Sequence, residues 1–175
     1  MITGYMEEMG NTLNSTFAGE EIAQRWSDLF IFERTFQEFK PDLIIELGTY
    51  LGSLTHFLSL HGHVWTIDNM KRNIKKYDNV SYNIGDVFFS NIRDDIEGLI
   101  QNHKQIFFFC DNGKKIQEFH LYAPLLKKGD IIFVHDWGNE ITANDIYETI
   151  LNEKLTPYLH ELSIRYNSLL RGWIK

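Results

Sequence analysis

The chain has 175 residues, 43% of them hydrophobic, and a formal charge of -7. That is enough for one domain with a substantial core, and an acidic surface repels phosphate backbones, so nucleic acid is excluded as a partner. No apolar run is long enough for a membrane helix, and the single cysteine, Cys110, excludes an intrachain disulfide framework and fits the reducing cytoplasm.

Residues 1–17 are polar and expected to be ordered only in part. A helix is predicted over 19–40, with Ile22, Trp26, Leu29 and Phe30 at helical spacing and Phe32, Phe36 and Phe39 as a second stripe. After Pro41 the pattern alternates. Strands are predicted over 43–47, 64–67, 80–84, 106–110 and 131–134, with helices over 53–60, 69–77, 91–103, 114–126 and 141–155 between and after them. The helix over 69–77 carries Lys71, Arg72, Lys75 and Lys76, a cluster read as a solvated face. The last helix is expected to bury Ala143, Ile146, Tyr147, Ile150 and Leu151 and to stop at Pro157. Two final strands, 158–166 and 169–174, are predicted to form a hairpin around Asn167-Ser168.

Near-continuous apolar strands alternating with helices define an α/β fold, a mostly parallel sheet covered on both faces, closed by a C-terminal antiparallel hairpin. One domain over 1–175 is expected, with 1–40 a helical cap and 41–175 the core. Trp26 and Phe30 are the expected walls of a lid, and the remaining aromatic face of that helix suits a homodimer.

The first strand runs into Glu46-Leu47-Gly48-Thr49-Tyr50-Leu51-Gly52-Ser53, an acid, a glycine turn and a helix start. Such a loop lets backbone approach a nucleotide-like cofactor. Gly-x-x-x-Gly is not the dinucleotide fingerprint, and no Gly-Lys-Ser/Thr follows. Every one of the first five strands ends on an acid: Glu46, Asp68, Asp86, Asp111 and the pair His135-Asp136. In an open parallel sheet these ends face one crevice, although each acid alone is also an ordinary helix cap or turn residue.

From about Pro41 to Lys175 the chain resembles the class I S-adenosylmethionine-dependent methyltransferases. The loop 46–53, the stretch Pro124-Leu125-Leu126-Lys127-Lys128-Gly129-Asp130 and the triplet His135-Asp136-Trp137 are similar to those of catechol O-methyltransferase and of the cephalosporin hydroxylase-like and sugar O-methyltransferase branch. The resemblance implies a Rossmann-like seven-stranded sheet and S-adenosylmethionine as cofactor. It implies that Gly48, Thr49, Tyr50, Gly52 and Ser53 cradle the methionine part, with Glu46 orienting the loop. Asp68, with Asn69 beside it, would take the ribose, and Asp86 and Val87 the adenine, with Asp111 closing the site. It further implies a divalent metal, magnesium or manganese, on Asp111, His135 and Asp136, and Lys114 as general base. His135 is open to three roles: ligand, base or structural histidine. The methyl acceptor implied is a small-molecule hydroxyl of sugar, catechol or natural-product type. A fold kept only as a binding module, and a metal-independent transferase, remain the alternatives.

Overall fold

The structure is a computed structural model and describes residues 15–175. The part of the N-terminal prediction that falls on 1–14 lies outside the described residues. Two short strands, β1 (Ser15–Phe17) and β2 (Glu20–Ile22), pair antiparallel ahead of helix α1 (Trp26–Glu38). The alternating core follows: β3 (Leu43–Leu47), α2 (Ser53–Ser59), β4 (Val64–Asp68), β5 (Val80–Ile84), α3 (Ser90–Asn102), β6 (Ile106–Cys110), α4 (Lys115–Tyr122) and β7 (Ile131–Val134). Helix α5 (Ala143–Asn152), β8 (Thr156–Tyr158), α6 (His160–Arg165) and β9 (Arg171–Ile174) complete it.

Seven strands form one sheet in the order β5-β4-β3-β6-β7-β9-β8. The β3 to β7 strands pair parallel, and β9 inserts antiparallel between β7 and β8. Successive residues of each strand feed opposite faces. Ile45, Phe108 and Ile132 pack with Ile96, Ile100, Phe119 and Ile146 of α3, α4 and α5. Ile44, Phe107, Phe109 and Phe133 pack with Phe32 and Phe36 of α1 and with Leu54 and Phe57 of α2. This two-sided burial is why the strands read as apolar runs.

The structure differs from the sequence reading in several places. The predicted helix over 19–40 begins only at Trp26, because Ala18 and Gly19 both have positive φ (51° and 83°) and turn the chain into a hairpin. No helix forms over 69–77: its one well-placed apolar side chain, Ile74, lies against the α carbon of Gly52, and a basic run without an apolar stripe has nothing else to bury. The expected long C-terminal strands are short, and α6 intervenes between Leu159 and Asn167, both at positive φ; Leu159 and Leu162 pack on the α1 side of the core. Pro157 lies within β8, the edge strand, where a missing N–H is tolerated. Finally, α5 buries Ile146 with Ile150 beside it, while Ala143, Tyr147 and Leu151 face out.

Phe32 is fully buried and meets Phe57, Phe107, Phe109 and Phe133 at ring separations of 5.2 to 6.3 Å. It joins α1 to both α2 and the sheet. Phe32→Ala is expected to cost about 3–5 kcal/mol, read as a lower urea midpoint at unchanged slope.

Candidate active site

Strand order reverses around β3 and β6, and the crevice opens at their carboxyl ends, as expected for a doubly wound sheet. Backbone pairing continues past the strands there, with Gly48 N–H donating to Ile67 O (2.8 Å) and Asp111 N–H to Leu47 O (3.0 Å). Gly48 has φ of 101°, and a Cβ on it would lie 2.8 Å from the Asp111 carbonyl carbon and closer to its oxygen. Only glycine lets the two loops approach this closely. The resulting cleft, about 540 Å³, is lined by Gly48, Thr49, Tyr50, Gly52, Ser53, Asp68 and Asn69 on one side. Asp111, Lys115, His135 and Asp136 form its floor, Glu140 lies at its mouth, and Glu21 to Gln24 close the third side.

On the glycine-loop side, Asp68 is aimed by two backbone donors: Tyr50 N–H to Oδ2 and Met70 N–H to Oδ1, both 2.9 Å. Each oxygen keeps a further lone pair for a ligand hydroxyl. Arg72 stands 5.0 Å from the Tyr50 ring centroid, with Nε 3.7 Å from Asp68. The Thr49 hydroxyl pairs with that of Thr66 at 2.7 Å.

Glu46 does not line the cleft. It is fully buried beneath the loop, accepting from the Thr55 hydroxyl at 2.6 Å, and its other oxygen, Oε1, has no partner. Burial pushes its pKa up to about 8. Asp86 and Val87 also lie off the cleft lining: Asp86 Oδ1 accepts from Phe88 N–H at 3.0 Å as a turn residue, and the carbonyl of buried Val87 accepts from the Tyr122 hydroxyl.

The floor is a charge cluster. Ligand atoms of Asp111, His135 and Asp136 lie within 4.8 Å of one another. His135 Nδ1 is 3.4 Å from Asp111 and 3.5 Å from Asp136, and Nε2 is 3.3 Å from Asp28. Burial alone would lower the His135 pKa, but the three carboxylates, Asp111 foremost, hold it well above the usual value. Burial likewise opposes the charge on Asp136, yet His135 and Lys115 keep its pKa well below the ordinary range. Asp136 itself has φ of 57°, a conformation aspartate tolerates, and its carbonyl accepts from Glu140 N–H at 3.0 Å, folding Glu140 back over the floor.

The lysine in this cluster is Lys115, not Lys114. Lys114 directs its ammonium at the Phe88 ring, 5.3 Å from the centroid, outside the cleft. Helix α4 starts one residue later than expected, and Lys115 is the residue turned inward. Its ammonium lies 3.2 Å from Asp111, 2.8 Å from Asp136 and 2.7 Å from Glu140. Burial opposes its charge, but these acids raise its pKa above the ordinary lysine value, so it stays an ammonium. Below it, Glu118 is buried and accepts from the Asn112 and Lys114 N–H groups, its pKa pushed by burial to about 7.

Sequence reasoning also missed Gln24, whose amide donates to Asp111 Oδ2 at 3.1 Å, and Asp28, which holds His135. Both sit in the segment predicted as plain helix. The expected walls Trp26 and Phe30 do not line the cleft; Trp26 is 41% exposed, and Phe30 packs edge-on against Tyr166.

This sheet order with ligand groups at the carboxyl ends defines the Rossmann-like methyltransferase fold. The sequence matches the rhamnosyl O-methyltransferase/CmcI family over residues 10–149, and the chain belongs to that family, among the class I S-adenosylmethionine-dependent O-methyltransferases. A structure of CmcI with Mg and SAM aligns with a TM-score of 0.65 at 16% identity, covering 92% of this chain and 77% of that one. A CmcI apo structure aligns at 0.66 and 13% identity, covering 92% and 76%. MycE, a methyltransferase of mycinamycin biosynthesis solved with Mg and SAH, aligns at 0.65 and 11% identity over 99% of this chain and 54% of that one. No curated protein matches the sequence.

Glu46 gives a pH test. Its folded pKa of about 8 lies above its ordinary 4.5, so its contribution to stability is intact below pH 4.5 and lost as pH rises through 8. Glu46→Gln, which retains an acceptor for Thr55, should gain on the parent protein by about 1.4 kcal/mol per pH unit across that window. Urea unfolding of both proteins at several pH values checks this; a difference that does not change with pH would refute it.

Proposed function

We propose that this enzyme transfers the methyl group of S-adenosylmethionine to a hydroxyl of a small molecule, with a divalent cation held by Asp111, His135 and Asp136. The observation that carries the reading is one cleft in which the Gly48 loop and the aimed Asp68 face a cluster of two carboxylates and an imidazole. The donor chemistry fits the ion. Two hard oxygens suit magnesium or manganese, and His135, its second nitrogen fixed by buried Asp28, would ligate as the neutral imidazole after giving up the proton that the carboxylates hold on it. When bound, such an ion holds substrate oxygens and makes a hydroxyl more acidic.

The chain's own residues do the rest. Asp68 offers both oxygens to the ribose diol, and Gly48 to Ser53 give the methionine part a backbone-lined bed. Asp28 holds the His135 ring, and Gln24 holds Asp111. Lys115 is held as an ammonium by Asp111, Asp136 and Glu140 and donates to them, and Lys114 points at Phe88 outside the cleft. Direct transfer then requires the acceptor oxygen about 3–3.5 Å from the methyl, opposite the sulfur. Glu21 and Gln24 on the third side, beside the apolar Ile22 and Ala23, and Glu140 at the mouth present polar groups, which suits a polyhydroxylated acceptor such as a sugar unit. The family's description, rhamnosyl O-methyltransferase/CmcI, supports this choice. We place the enzyme in the cytoplasm on its one buried cysteine and retain the homodimer as part of this reading. No helix among the described residues is long and apolar enough to cross a membrane.

A metal-independent transferase is the second reading, and Lys115 favours it, since its ammonium already neutralises the same carboxylates.

Calorimetric titration with S-adenosylhomocysteine should show one-to-one binding that Asp68→Ala weakens by about tenfold or more, the scale of a lost charge-assisted hydrogen bond. Asp111→Asn and Asp136→Asn should keep that binding and lose manganese binding and turnover; asparagine also tolerates the positive φ at 136. Absence of cofactor binding would end the methyltransferase reading, and chelator-resistant turnover would decide for the metal-independent one.

A further inference from the structure

Lys115 has 3% of its side chain exposed, yet its ammonium touches three carboxylates. Two of them, Asp111 and Asp136, belong to the cluster that would ligate the ion; the third, Glu140, does not. An ammonium and a hard divalent cation seek the same carboxylate oxygens, and two positive charges cannot share them at contact distance without strong repulsion. Glu140 lies at the mouth of the cleft, with 52% of its side chain exposed. A second cavity of about 290 Å³ is lined by Gly113, Lys114, Lys115, Ile116, Gln117 and Glu140, and by none of the three candidate ligands. There is room on that side for the ammonium, and a carboxylate to receive it. A lysine stem of four methylenes can make that swing.

We propose that Lys115 is a tethered competitor for the divalent ion: its ammonium and the ion exclude each other from Asp111 and Asp136, and ion entry leaves the ammonium on Glu140 alone, turned toward the adjoining cavity. The inference rests on the assignment of Asp111 and Asp136 as ligands. The ion therefore competes with a lysine and not only with water, which lowers its affinity and keeps the acidic floor compensated whichever cation is present.

Manganese titration, by calorimetry or by the loss of the free-ion paramagnetic resonance signal, tests this on three proteins. Lys115→Met should bind manganese about tenfold or more tighter than the parent, the scale of removing one like charge a few ångströms from the ion. Lys114→Met removes the same charge one residue away, outside the cleft, and should change affinity by about twofold at most, given solvent screening. Equal or weaker binding by Lys115→Met overturns the competition while leaving the metal assignment standing. Failure of every protein to bind manganese overturns both. Should Lys115→Met not fold, the parent protein supplies an independent readout. Acetylation by acetic anhydride, quantified by mass spectrometry, should rise at Lys115 relative to Lys114 when manganese is added, and an unchanged ratio overturns the proposal.

Discussion

The Asp28 carboxylate is the interaction on which the cleft depends. It is fully buried and accepts from Arg25 N–H (2.8 Å), the Ser168 hydroxyl (2.7 Å), Leu169 N–H (2.8 Å) and His135 Nε2 (3.3 Å). A buried carboxylate is stable as an anion only when its lone pairs are filled in this way. The same group starts α1, docks the segment leading into β9 and sets the His135 ring. The N-terminal segment is therefore part of the site's construction, and Ile22 to Gln24 reach the cleft because Asp28 fixes where the helix begins.

The second constraint is electrostatic. Asp111, Asp136, Glu140 and Asp28 converge where the strands end, and Lys115 and His135 are the cations among them. Carboxylates this close repel one another unless a cation lies between them. Backbone geometry enforces the crowding: Gly48 lets the β3 loop press against Asp111, and the positive φ at Asp136 returns Glu140 to the same place. A floor of this kind has a standing demand for positive charge, which a lysine or a divalent ion can meet. Methyl transfer to a hydroxyl draws on the same demand, because the acceptor oxygen must approach as it loses its proton.

Glu46 and Asp68 show how environment separates two acids at neighbouring strand ends. Glu46 points beneath the loop, fully buried against the Thr55 hydroxyl, where burial favours its neutral form. Asp68, at the next strand end, meets two backbone N–H donors and the cleft. Sequence position alone makes them look equivalent; the pleat of β3 sends one under the loop and the end of β4 leaves the other at its rim.

By itself the sequence determined the parallel core. The apolar runs at 43–47, 106–110 and 131–134, too short for helices and alternating with helical periodicity, read as doubly covered strands, and the acids that follow them mark the ligand end of the sheet. That the glycine loop, Asp68, Asp111, His135 and Asp136 meet in one crevice was legible for the same reason, since strand ends in such a sheet share one edge; that Glu46 and Asp86 stay off its lining was not. Only the tertiary structure decided the rest. The unwound stretch 69–77 and α6 depend on long-range contacts such as Ile74 on Gly52 and Leu162 on the α1 core, which local periodicity does not encode. Lys115 and Lys114 are adjacent and chemically identical, and the phase of α4 alone put Lys115 among the carboxylates and Lys114 on Phe88. Asp28 falls inside the helix predicted over 19–40 and carries no signal of its own there; its tie to a histidine 107 positions later exists only because the folded chain brings α1 against the end of β7.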